Sequence, residues 1–191
     1  MIITNGDVTV TAGTLAMGAN ALTVGTGSGT GSITGAGTIT QSSAATTTLK
    51  GAGNLGGGTY AFYILTLGDG SNTKATTLTG SAVSVANALT VSASHTLGLS
   101  TFDLAVGTGA DYGVITGLGI ITQTGGTTTL KGGSVLGGAT SSAPATCAGT
   151  NGSFQFYNLT VGDVTNTKAT TACGNFTVSN LFTIATNQTF N

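Results

Sequence analysis

Residues 22–41, LTVGTGSGTGSITGAGTITQ, recur with few changes at residues 104–123 as LAVGTGADYGVITGLGIITQ, an offset of 82 positions. The matched residues are mostly glycine, threonine and branched aliphatic residues, which are typical of short strands joined by tight turns. A match of this length indicates that one structural unit occurs more than once in the chain. We therefore expect a repeat protein.

The similarity extends well beyond this segment. The sequence TTTLKG occurs at 46–51 and at 127–132, an offset of 81, and the sequences FYILTLGD and FYNLTVGD occupy 62–69 and 156–163, an offset of 94. The increase from 81 to 94 indicates a 13-residue insertion in the second copy, which we place at 139–151.

The repeat also suggests how the whole chain is organised. A partial copy covers residues 1–21, and two copies cover approximately residues 22–103 and 104–191. Because each copy exposes apolar strand residues that a neighbouring copy would cover, we expect a single domain over residues 1–191.

Within each copy, short apolar–threonine–apolar triplets are the main indication of secondary structure. Alternating side chains place the two apolar residues on one side of a strand and the threonine on the other. The triplets predict strands at Val8–Val10, Leu22–Val24, Leu65–Leu67, Leu89–Val91, Leu159–Val161 and Phe182–Ile184.

The composition excludes several classes of protein. Only nine of 191 residues are charged, with four lysines, five aspartates, no arginine and no glutamate. Four dispersed lysines do not form the basic stripe that nucleic acid requires, and the abundance of Gly and Thr disfavours helices. No stretch approaches the roughly 18 apolar residues of a membrane span.

Low charge also bears on which all-β architecture forms. In a parallel β-solenoid (β-helix), equivalent residues stack about 4.8 Å apart, so like charges would repel one another. A β-sandwich is the alternative, although its edge strands are normally protected by charged residues. We favour the solenoid, with coils of roughly 20 residues, a repeat of about four coils, and nine or ten coils in a rod of about 45 Å.

The segments at 156–161 (FYNLTV) and 174–178 (GNFTV) resemble the Gly/Thr-rich β-strand repeats of large bacterial surface proteins and adhesins. That resemblance implies a right-handed β-helix or a related solenoid. It also implies an extracellular or cell-surface location with a structural or adhesive role, and it brings no catalytic residues with it.

Two repeated charged pairs are candidate structural residues. Asp69 and Lys74 in the first copy are equivalent to Asp163 and Lys168 in the second. Aspartate after glycine is typical of turns, so we predict that each Asp–Lys pair closes a corner of the solenoid.

Few residues suggest chemistry. Gly51, Gly53 and Gly56 match a phosphate-loop pattern, but no helix is predicted after them, so we interpret this segment as a flexible corner. His95 aligns with Gln188 and has no Cys or acidic neighbour in sequence, which makes a poor metal site. We expect no catalytic residues, cofactor or metal.

The two cysteines occur only in the second copy, near the insertion. A disulfide between Cys147 and Cys173 would fix the inserted loop to a later coil, with a stabilisation of about 3 kcal/mol. It would also indicate an oxidising, extracellular setting; the alternative is two small buried thiols. Four sequons make N-glycosylation a hypothesis, at Asn151, Asn158, Asn175 and Asn187.

Neither terminal segment resembles the polar or helical caps that solenoids use, so the chain is either part of a longer protein or stacks on copies of itself. The leading hypothesis is a non-enzymatic extracellular structural protein that self-associates head to tail into a filament or surface layer. The alternatives are an adhesin or binding module, with the loop at 139–151 contacting surface glycans, and an ice-binding solenoid with Thr-x-Thr on every coil.

Overall fold

The computed structural model describes residues 1–4, 6–80, 83–110, 112–138, 147 and 152–191. Within these residues it contains 21 strands and no helix. The strands are β1 (Ile2–Ile3), β2 (Val8–Thr9), β3 (Thr14–Gly18), β4 (Leu22–Val24), β5 (Ile33–Thr34), β6 (Thr38–Gln41), β7 (Thr46–Leu49), β8 (Gly53–Gly56), β9 (Thr59–Leu67), β10 (Lys74–Leu78), β11 (Val83–Val91), β12 (His95–Ser100), β13 (Leu104–Val106), β14 (Val114–Thr116), β15 (Ile120–Gln123), β16 (Thr127–Leu130), β17 (Ser134–Leu136), β18 (Ser153–Val161), β19 (Lys168–Ala172), β20 (Phe176–Ile184) and β21 (Gln188–Phe190).

Every pairing between these strands is parallel, and the pairings define three faces. Face 1 contains β1, β4, β7, the second halves of β9 and β11, β14, β17, β19 and β21. Face 2 contains β2, β5, β8, β10, β12, β15 and the first halves of β18 and β20. Face 3 contains β3, β6, the first halves of β9 and β11, β13, β16 and the second halves of β18 and β20. The chain visits the faces in the order 1, 2, 3 and is therefore a three-sided parallel β-solenoid, as predicted.

Four strands of nine residues bend around a corner and contribute to two faces each. In β11, Val83–Val85 pair on face 3 and Ala88–Thr90 pair on face 1, with a shift of register between them. The strands β9, β18 and β20 behave in the same way. Counting these four strands twice gives 25 segments from 21 strands, which is eight coils and one further segment on face 1.

The prediction of nine or ten coils is therefore wrong. Along face 1, Ile2, Thr23, Thr48, Thr66 and Thr90 are successive register partners, so the first four coils contain 21, 25, 18 and 24 residues. The coils are longer than 20 residues on average because several corners are extended, and the rod is about 40 Å long at the usual strand spacing.

The internal repeat does not coincide with a whole number of coils. The first copy contains nine strands, β4 to β12, two of which count twice, so the unit has eleven segments or three and two-thirds coils. Equivalent strands therefore lie on different faces: β4 is on face 1, whereas its counterpart β13 is on face 3. The second copy stacks on the first after a rotation by one face.

The inside of the solenoid is a stack of apolar columns. Val24, Leu49, Leu67 and Val91 form one column inside face 1, and each has 0% exposure. In these strands the residue before each column residue is a threonine that points outward, and Thr23, Thr48, Thr66 and Thr90 stack in register along the face. Alternation thus explains both the core and the neutral outer surface.

The segment around Gly51, Gly53 and Gly56 corrects one expectation. It is not a flexible corner throughout, because Gly53–Gly56 form strand β8 on face 2. Gly56 faces the backbone of the next coil so closely that a Cβ there would lie 1.9 Å from the Thr79 carbonyl oxygen. Glycine at this position permits close stacking of the coils.

Candidate functional sites

The corner between β9 and β10 is organised by Asp69. One carboxylate oxygen, Oδ1, accepts hydrogen bonds from the backbone N–H groups of Ser71 at 3.0 Å and Asn72 at 3.1 Å. The other, Oδ2, accepts from Asn72 Nδ2 at 2.9 Å. These hydrogen bonds lower the pKa of Asp69 to about 2, with the Ser71 bond contributing most. Asp69 is a turn residue, as the sequence predicts.

Lys74 does not pair with Asp69, which corrects the predicted contact at this corner. Its Nζ donates instead to the Ser28 carbonyl oxygen at 2.9 Å, in a corner that precedes it by two coils. The physical reason is that local amide groups already occupy both Asp69 oxygens. The side chain of Lys74 therefore joins two corners of the stack.

The second copy repeats the aspartate half of this arrangement. Asp163 Oδ1 accepts hydrogen bonds from the backbone N–H groups of Thr165 and Asn166, and Oδ2 accepts from Asn166 Nδ2 at 3.0 Å. The bond from the Asn166 backbone is the largest cause of the lowered pKa of Asp163. Lys168 forms no hydrogen bond or ion pair with any other residue that the structure describes, so the predicted Asp163–Lys168 contact is absent too.

A surface cavity of about 450 Å³ lies beside Lys168. Its lining includes Tyr112, Gly133, Val135, Thr167 and Thr171 in addition to the lysine. Sequence reasoning did not identify Tyr112 as a candidate residue. Alignment of the two copies could have identified it, because Tyr112 occupies the position of Thr30 in the first copy.

His95 is a polar residue in the core. It has 0% exposure, and its Nε2 lies 3.0 Å from Thr76 Oγ1, whereas Nδ1 has no hydrogen-bond partner among the described residues. Burial lowers the pKa of His95, and the nearby charge of Asp69 opposes this effect less strongly. Burial therefore favours the neutral form of the imidazole.

Within the described part of the chain, no group of three or more His, Cys, Asp or Glu side chains is placed to hold a metal ion. A search of the same residues for a helix able to cross a membrane also finds none.

The predicted disulfide between Cys147 and Cys173 is present. Cys173 follows β19, and its backbone N–H donates to the Leu136 carbonyl oxygen at 2.7 Å. The bond thus fixes residue 147 to the seventh and eighth coils. The rest of the predicted recognition loop at 139–151 lies outside the described residues.

The sequons differ in their surroundings. Asn158 Nδ2, the atom that would carry a glycan, donates to the Gly126 carbonyl oxygen at 2.9 Å, and its Oδ1 accepts from Asn180 at 2.7 Å. These contacts disfavour a glycan at Asn158. Asn175 and Asn187 are exposed, and Asn151 lies outside the described residues.

The threonine ladder on face 1 is one residue wide. The neighbouring outward positions, two residues earlier in each strand, are Thr46, Ile64 and Ala88 on successive coils. A flat Thr-x-Thr array, which ice binding would need, therefore does not run along this face.

The last coil exposes residues that occupy core positions elsewhere. Phe182 and Ile184 are register partners of Leu159 and Val161, which have 0% exposure, yet they are themselves 39% and 47% exposed. Phe182 packs edge-on against two other aromatic residues, with ring centroids 6.0 Å from Phe176 and 5.2 Å from Phe190. The apolar columns thus end in an open aromatic surface.

The first coil is the opposite end of the stack. Its strands β1, β2 and β3 each pair on one side only, with β4, β5 and β6. Strands β20 and β21 likewise pair on one side only, at the far end. Because all strands run in the same direction, the two ends present complementary edges for further parallel pairing.

Comparisons of the chain with protein-family models, with curated proteins and with solved structures give no significant match.

Proposed function

We propose that this protein is a structural solenoid that self-associates head to tail through its two end coils. The observation that carries the proposal is the open aromatic surface of the last coil, where Phe182 and Ile184 hold core positions without a covering coil. Burial of each such side chain would contribute roughly 1.5–3 kcal/mol. Parallel pairing of three open strand edges would add directional hydrogen bonds.

Low charge supports association of this kind. The net charge of −1 gives little repulsion between copies at any distance. The head-to-tail contact is heterologous, since one end differs from the other, and such contacts extend into filaments unless a rotation closes them into rings. The product would be a fibre or, with lateral contacts, a surface layer.

An extracellular or cell-surface location belongs to the same proposal. The Cys147–Cys173 disulfide favours an oxidising compartment. The Gly/Thr-rich solenoid is also consistent with the resemblance to bacterial surface proteins and adhesins. In this account the protein has no enzymatic activity and acts through its surfaces.

The test replaces Ile184 with a charged residue. We expect Ile184→Lys to prevent association, because the ammonium group would be buried without a partner in the end-to-end contact. Sedimentation velocity over a range of concentrations measures the size distribution of both proteins. The wild type should form longer species as concentration rises, and the variant should remain monomeric.

The matched control is Leu118→Lys, which makes the same apolar-to-charged change at a residue that is 49% exposed and lies between β14 and β15, in the sixth of the eight coils. This variant should associate as the wild type does. Equal association of Ile184→Lys and wild type, with both proteins folded by circular dichroism, would refute the end-to-end contact.

A further inference from the structure

The cavity beside Lys168 lies at a corner of the second copy, and the equivalent corner of the first copy differs from it in several residues. There, Lys74 occupies the equivalent position, and its ammonium group is engaged by the Ser28 carbonyl oxygen. In the second copy the carbonyl group at the equivalent position belongs to Ala110, and Lys168 makes no hydrogen bond to it. Among the residues that the structure describes, the ammonium group of this lysine is therefore bonded in the first copy and not in the second.

Two further replacements between the copies occur at this cavity. Thr30 and Ala52 of the first copy form an isolated parallel bridge, and their equivalents in the second copy are Tyr112 and Gly133. The Tyr112 ring lies against Gly133, with Cδ1 and Cε1 each 3.0 Å from the point that a Cβ would occupy. Loss of the alanine methyl group therefore makes room for the larger aromatic ring.

The position of the ring gives the cavity one aromatic wall. Tyr112 is 45% exposed, so one part of it packs on the backbone and the rest faces the cavity and solvent. An aromatic side chain held in this way presents an apolar surface together with a hydroxyl group. Such a surface suits a ligand that is itself partly apolar and partly hydroxylated.

The other side chains that line the cavity indicate which further groups a ligand would carry. Lys168 supplies a positive charge that binds a carboxylate by a charge-assisted hydrogen bond. Thr167 and Thr171 supply hydroxyl groups that both donate and accept hydrogen bonds. The volume of about 450 Å³ lies within the range of small-molecule sites, about 300–1,000 Å³.

We propose that this cavity binds an acidic sugar residue of a glycan, of the uronic acid class, with the sugar ring against Tyr112 and its carboxylate at Lys168. The proposal does not depend on head-to-tail assembly, since the cavity lies on the side of the solenoid, at the corner before face 1. It assigns a glycan-binding role to the second copy that the first copy does not have.

The experiment titrates the full chain with sodium galacturonate and with a trimer of galacturonate, followed by calorimetry. Methyl α-glucoside is the neutral control, and sodium acetate tests for simple ion pairing. We expect binding of the uronates to exceed that of both controls, and to weaken by at least about tenfold in Lys168→Met, the effect of losing one charged hydrogen bond. Tyr112→Thr, which restores the residue of the first copy, should have a similar effect.

Lys74→Met is the matched variant, because it removes the equivalent lysine of the first copy, whose ammonium group is bonded to the Ser28 carbonyl oxygen. It should leave uronate binding unchanged. The proposal is overturned by any of three results: no uronate binding, equal binding of acetate and uronate, or equal loss of binding in Lys74→Met and Lys168→Met. Thermal unfolding of each variant shows whether its fold is retained.

Discussion

At the scale of single residues, four aspartates in the described part of the chain hold corners together. Asp7 Oδ1 accepts from the backbone N–H of Ser32, and Asp103 Oδ1 accepts from that of Thr127, each one coil further along. Asp69 and Asp163 organise their own turns. Carboxylates are used here to satisfy backbone groups that the corners leave without strand partners.

The sole histidine gives a testable consequence for pH. Burial lowers the pKa of His95 in the folded protein below its ordinary value of 6.5. As the pH falls below 6.5, the unfolded chain therefore binds a proton that the folded chain does not, and stability decreases. Exchange of a single proton limits this slope to about 1.4 kcal/mol per pH unit. Denaturant unfolding measured between pH 7.5 and pH 5 checks this.

His95→Gln supplies the comparison, because the equivalent residue Gln188 occupies the same position in the second copy. This variant should lose the dependence on pH in that range, since no other side chain ordinarily titrates there. A stability that is constant from pH 7.5 to pH 5 in the wild type would contradict the lowered pKa of His95.

The lowered pKa of Asp69 affects stability in a different pH range. The stabilisation that the ionised Asp69 side chain gives the folded protein is lost only as the pH falls from 3.8 towards 2.

At the scale of strands and corners, sequence reasoning succeeds for the strands and fails for the corners. The triplets at 22–24, 65–67 and 159–161 all lie in strands with the expected inward residues buried. Alternation determines which side chains face inward, so the repeat reveals the core directly. The length of each corner is not encoded in that pattern, which is why the number of coils was overestimated.

The side-chain partners at the corners could not be predicted from the sequence either. Lys74 contacts a residue 46 positions earlier in the chain, and that contact depends on how many residues each intervening coil contains. Tyr112 stands out only when its copy is compared with the first one and the facing Gly133 is considered with it. The disulfide could be predicted, because both cysteines occur in the copy with the insertion.

A glycine at one corner tests the packing of one coil on another. A Cβ on Gly27 would lie 1.6 Å from Asp69 Oδ2, so Gly27→Ala should displace the Asp69 turn and destabilise the fold by roughly 1–3 kcal/mol. Gly98→Ala is the control, because its nearest neighbour would be 3.8 Å away. Equal denaturant midpoints for the unfolding of the two variants would show that the close contact between Gly27 and Asp69 does not contribute to stability.

At the scale of the whole molecule, the geometry of the stack restricts how one copy follows another. Both β1 and β21 lie on face 1, because the described strands supply eight coils and one segment. If a second copy followed without rotation, its β1 would cover β21 and leave a gap of one strand on faces 2 and 3. A rotation by one face places β1 on face 2 and closes all three edges.

The most direct test of head-to-tail stacking is the helical symmetry of assemblies imaged by electron cryomicroscopy at high protein concentration. The account predicts filaments one solenoid wide, in which successive copies are related by a rise of about 40 Å and a rotation of about one third of a turn. Particles that remain about 40 Å long at every concentration would contradict it.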